Sequence, residues 1–148
     1  MKFSKGKQTW DPKMALKVAR VLNLAADIIV GDMKDGITKH SEDIHGREFA
    51  KLSPNTIASK KKKGQSSKPL LAEGKMKEVY VRSRANNKKL VAVIGVNKRD
   101  RLGASVGHNE GSGNLPKREW FGVSKRAEKK CVKLARKMIK KELRIMGG

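Results

Sequence analysis

The stretch Val79-Tyr80-Val81-Arg82, followed by Asn86-Asn87 and then by Leu90-Val91-Ala92-Val93-Ile94, has the pattern of a β-hairpin. Val79 and Val81 alternate with Tyr80 and Arg82, and the asparagine pair supplies a turn. The second run is apolar on both faces, which predicts a central strand covered by helices. Further on, Leu115 to Phe121 predicts a third strand. Pro116 places it at a sheet edge or at the strand's start, because proline donates no ladder hydrogen bond.

On the N-terminal side of the hairpin the period changes to that of a helix. Asp11-Pro12 is a capping residue followed by a proline suited to the first helical position. Met14, Val18, Val21, Leu22, Ala25, Ile28, Ile29 and Met33 then recur at helical spacing, with Lys13, Lys17, Arg20, Asn23 and Asp27 opposite. Gly31 and Gly36 leave the end of this helix between Lys34 and His40. Ser41 to Leu52 has no period and reads as a loop. Ser53-Pro54 repeats the cap-and-proline signal, with Leu52 and Ile57 at hydrophobic-staple positions, and predicts a short helix ending at Gly64. Glu73 to Lys77 reads as one more helical turn.

On the C-terminal side, Asn97 to Asn114 is rich in glycine and charge and reads as a long loop. Ser124 then caps a final helix. Ala127, Cys131, Val132, Leu134, Ala135, Met138, Ile139, Leu143 and Met146 gather on one side of its helical wheel. The other side carries ten basic residues, Lys129, Lys133, Arg136 and Lys140 among them, against two acidic ones, Glu128 and Glu142. The expected fold is therefore α+β: a small antiparallel sheet, made of a hairpin plus a further strand, packed against a long N-terminal and a long C-terminal helix. Residues 1–148 read as a single domain, with a mobile basic loop at about 59–68 and a long loop at about 97–114.

Composition narrows the partners. The chain has 148 residues, 36 Lys plus Arg, 14 Asp plus Glu and a formal net charge of +22, a field that attracts phosphate backbones or acidic proteins. One cysteine excludes an internal disulfide. The best apolar run, Leu24 to Val30, is short and broken by Asp27, so no membrane span is expected. Met1 to Lys7 has charge without an apolar core behind it, so no secretory signal is expected either.

Catalytic chemistry has little to stand on. His40 and His45 are separated from His108-Asn109-Glu110 by the hairpin, and a zinc site needs three or four ligands at suitable spacing. Cys131 falls on the apolar face of the last helix, the ordinary place for a small buried residue. The glycines from Gly103 to Gly113 are not followed by the Gly-Lys-Ser/Thr of a phosphate loop. No enzymatic activity, cofactor or metal is expected, and a nuclease using His108 and Glu110 is the weakest alternative. The Lys60-Lys61-Lys62-Lys63 run and the basic helix face are the candidate contacts for nucleic acid or an acidic protein. Six aromatics in all argue against a base-stacking platform.

Two series of residues carry a more specific message. The first is Phe49-Ala50-Lys51-Leu52-Ser53-Pro54-Asn55-Thr56-Ile57, the lysine run, then Lys68-Pro69-Leu70-Leu71-Ala72-Glu73-Gly74-Lys75-Met76. The second is Gly107-His108-Asn109-Glu110-Gly111, then Leu115-Pro116-Lys117-Arg118-Glu119-Trp120-Phe121-Gly122-Val123-Ser124. In order and content they resemble the virion morphogenesis family of tailed bacteriophages, whose members act as tail-completion or neck proteins. The resemblance runs from about Gly46 to Ser124. It implies a non-catalytic structural protein of the virion, assembled in the host cytoplasm as a six-fold ring at the head–tail junction. Its implied partners are other copies of itself, the adjacent tail tube or terminator, the head-connector proteins and DNA in the channel. It also implies that the edge holding Pro116, Arg118, Trp120 and Phe121 packs neighbouring subunits, and that a basic segment from Ser59 to Lys68 is ordered by a neighbour. The alternative is a module that grips DNA or RNA without sequence choice through the same lysines.

Overall fold

The computed structural model describes residues 11–71, 78–96 and 99–146. It has the expected α+β class. The first helix, α1, spans Pro12–Asp35 and runs on into a π-helical turn, Gly36–His40. Asp11 caps it as its sequence suggested, accepting the Met14 N–H at 3.1 Å. The helical path stops at Ser41, whose φ of 56° is left-handed. Helix α2 spans Pro54–Lys62, with the Ser53 hydroxyl accepting from the Thr56 N–H at 3.2 Å and Gly64 beyond its end at a φ of +62°. The turn expected at Glu73 to Lys77 lies outside the described residues.

Among the described residues the sheet has two antiparallel strands, β1 at Val79–Ser83 and β2 at Val93–Val96. Their register pairs Val79 with Val96, Tyr80 with Gly95 and Val81 with Ile94, with a bulge before Ser83 meets Val93. The second strand therefore begins later than the apolar run that announced it. The Asn86 side chain explains part of the delay: it accepts the Lys88 and Lys89 N–H groups at 2.9 and 2.8 Å and draws the chain into a wide turn. Coverage on both faces is not realised. Val79, Val81, Ile94 and Val96 face the core, while Tyr80, Val91 and Val93 are exposed.

Two further expectations give way. The stretch read as a loop over 97–114 holds a helix, α3, at Arg99–Glu110. Gly103 and Gly107 masked it, since each costs helix stability in isolation, about 1 kcal/mol relative to alanine. The last helix, α4, spans Lys125–Met146. Among the described residues Leu115 to Phe121 joins no ladder, and several of its backbone groups bond elsewhere. The Arg118 N–H donates to the His108 carbonyl at 2.7 Å and the Glu119 carbonyl accepts from the Ile44 N–H at 2.8 Å.

The core gathers Val30, Met33 and Ile37 from the first helix and its extension, with Phe49, Leu70, Val79 and Trp120. Helix α1 packs on one side against the hairpin and on another against α4. Its buried stripe is Ala15, Ala19, Ala26, Val30 and Met33, so it is offset from the predicted face and leaves Met14 exposed. The small residues in its first half suit close approach of a second helix.

Candidate partner-binding surfaces

Helices α1 and α4 run antiparallel, held at both ends. Near the start of α4 the buried Asp32 carboxylate accepts the Ser124 hydroxyl and the Arg126 Nε–H, each at 2.5 Å. Ser124 in turn accepts the Ala127 N–H at 3.0 Å, so the residue that caps α4 is itself anchored to α1. At the far end Lys17 pairs with Glu142. Burial raises the Asp32 pKa, but the hydrogen bonds from Arg126 and Ser124 and the charges of Arg126 and Lys130 outweigh it and hold the carboxyl below its usual range. Midway, the Cys131 thiol lies against the Ala25 carbonyl, pushed up in pKa by burial and then by Asp32.

This anchoring fixes which face of α4 is free. Ala127 is buried, and Cys131, Leu134, Ala135 and Met138 are half-buried. Lys129, Lys133, Arg136 and Lys140 all stand exposed. Two members of the predicted apolar face do not follow it inward: Val132 is 43% exposed and Ile139 58% exposed.

The lysine run divides. Lys61, Lys62 and Lys63 are exposed, but Lys60 is buried, with its ammonium donating to the Lys68 carbonyl at 2.6 Å. Lys60 is thus no free contact residue. The segment from Ser59 to Lys68 makes hydrogen bonds along its length. It begins as the last turn of α2, and Gln65 N–H donates to the Lys60 carbonyl at 2.9 Å. At its end the Lys68 ammonium reaches the Thr38 carbonyl, also at 2.9 Å. Burial lowers the Lys60 pKa, and the Arg118 charge adds to this.

The segment expected to form a subunit edge also divides. Pro116 and Phe121 are exposed, whereas Arg118 and Trp120 are 3% and 2% exposed and serve the chain's own interior. The Arg118 guanidinium donates to the Ala50 carbonyl at 2.9 Å and meets no carboxylate among the described residues. Trp120 packs edge-on to Phe121 with ring centroids 5.5 Å apart. The Asn109 side-chain oxygen accepts the Phe121 N–H at 3.0 Å, so the end of α3 and this segment hold each other. Burial, then the Arg118 charge, lowers the pKa of His108. Its Nδ1 is buried without a partner among the described residues.

His45 and His108, two of the residues weighed for catalysis, lie in different surroundings. His45 Nε2 sits 3.1 Å from a Glu119 carboxylate oxygen that Arg47 also reaches, in an exposed ionic cluster, while His108 is enclosed with Arg118. Among the described residues no three His, Cys, Asp or Glu side chains gather where they could hold a metal ion. No described helix is long and apolar enough to cross a membrane. Asp32 and the helix α3 escaped the sequence reading. An acid beside Met33 on an apolar helix was the available hint of the first, but its partners lie 92 and 94 positions away. Comparisons with protein-family models, curated proteins and solved structures find no match for this chain.

Proposed function

We propose that this chain is a non-catalytic structural protein of a tailed phage, forming a ring at the head–tail junction that joins the tail to the head connector. The observation that carries the reading is the anchored α4, which presents Lys129, Lys133, Arg136 and Lys140 together on one exposed face. So much like charge on one helix is self-repelling, and a partner of opposite charge relieves it. The resemblance of Gly46 to Ser124 to virion morphogenesis proteins supplies the identity of that partner as a neighbouring ring. Pro116 and Phe121 remain the surface members of the proposed subunit edge. Replacing Lys129, Lys133, Arg136 and Lys140 together by Glu is expected to leave a folded protein that no longer joins heads to tails; normal infectious particles from that variant would overturn the contact role. Light scattering on a sizing column should give a discrete multiple of the chain mass that survives high salt.

A second reading is favoured by the exposed Lys61, Lys62 and Lys63, which add a second basic patch to that of α4. On it the chain grips DNA or RNA backbones without sequence choice. Its signature is salt: duplex affinity should fall with a log–log slope of about −0.9 per phosphate contact.

A further inference from the structure

Helix α4 carries two seams with the alternating three- and four-residue spacing of helix-on-helix packing. One seam, Ala127, Cys131, Leu134 and Met138, is turned toward α1 and is buried or half-buried. The other runs Lys125, Lys129, Val132, Arg136 and Ile139, and each of these residues is exposed. In sequence, Leu143 continues the same spacing. The second seam therefore mixes basic and apolar positions along one line of the helix.

We infer that this second seam docks an acidic amphipathic helix of another protein. The inference rests on the reading that the α4 face meets a protein, and it specifies that partner's chemistry. Val132 and Ile139, two turns apart, call for apolar side chains at matching spacing. Lys125, Lys129 and Arg136 call for carboxylates between them. A second copy of α4 fails this requirement, because it would set Lys125, Lys129 and Arg136 against cations of the same kind instead of carboxylates. A duplex backbone satisfies the cations but offers nothing to Val132 and Ile139.

The test uses the full chain and three probes at moderate salt. These are a helical peptide of about 21 residues with Leu at the seam positions and Glu beside them, polyglutamate of equal charge, and a short DNA duplex. The peptide is expected to bind about tenfold or more tightly than polyglutamate. Val132→Ser with Ile139→Ser should abolish that preference while leaving polyglutamate binding unchanged; both sites are exposed, so the fold should persist. Equal binding of peptide and polyglutamate, unaffected by the double substitution, overturns the apolar seam but leaves a charge-only protein contact standing. Binding of the duplex alone, with a steep salt slope, overturns both the seam and the protein-contact reading beneath it.

Discussion

Asp32 and Ser124, 92 positions apart, share a 2.5 Å hydrogen bond where α1 meets the first turn of α4. Ser124 is at once the cap of α4 and a donor to the carboxylate that Arg126 also engages. One buried acid thereby fixes both the start of α4 and its position on α1, and with them the direction of the basic face.

Replacing Asp32 by Asn keeps the shape but removes the charge that Arg126 faces. The expected loss is about 1–3 kcal/mol, read as a lower urea midpoint with an unchanged slope. The same group makes stability acid-sensitive. Its carboxyl pKa is lower folded than unfolded, so the stabilisation is full above the unfolded value of about 3.9 and disappears as pH falls through the folded one. Asp32→Asn should flatten that part of the acid-unfolding curve.

His108 acts in a different pH window. Burial and Arg118 oppose its protonation in the fold, so the unfolded chain takes up the proton first. Stability should decline as pH drops below the unfolded value of about 6.5 and level off below the folded one. Urea midpoints measured at about pH 7.5 and 5.5 should differ in the wild type. They should differ less in His108→Gln.

Gly111 has a φ of +77°, and a Cβ added there would stand 2.9 Å from the Lys117 Cβ and 3.1 Å from its backbone nitrogen. Gly113 shares the left-handed backbone, at +62°, but has open space around it. Gly113→Ala should cost about 1–2 kcal/mol, the conformational penalty alone. Gly111→Ala should cost more, because the backbone of residue 117 must shift as well. Equal thermal shifts for the two variants would show that the turn yields.

Trp120→Ala should cost about 3–5 kcal/mol, as expected for a large side chain 2% exposed in the central cluster. Phe121→Ala, at a half-open position, should cost much less. Thermal melts of the two variants decide whether this dipeptide divides into a core residue and a surface residue.

The parts of the fold legible in the chain are those governed by neighbours. Asp11, Ser53 and Ser124 were readable as caps because a cap bonds an N–H three residues on. The class followed from a hairpin period between two helical periods. The candidate surface was half legible: a helical wheel placed the cations of α4 on one side, but could not say that α1 covers only part of the apolar side and leaves Val132 and Ile139 out. Helix α3 was hidden by its glycines, whose local cost is offset by contacts such as Asn109 with the Phe121 backbone.

Charge and periodicity, then, set the helix starts, the hairpin and the basic character of α4, because those are interactions within a few residues or sums over composition. Which of four consecutive lysines is buried, which of Pro116, Arg118, Trp120 and Phe121 reach the surface, and which seam of α4 is free were decided only on folding. Burial is a property of two surfaces that meet: Arg118 with Ala50 and Asp32 with Ser124 meet across distances along the chain that no local pattern spans, and Lys60 meets the Lys68 carbonyl only because the chain turns back after α2.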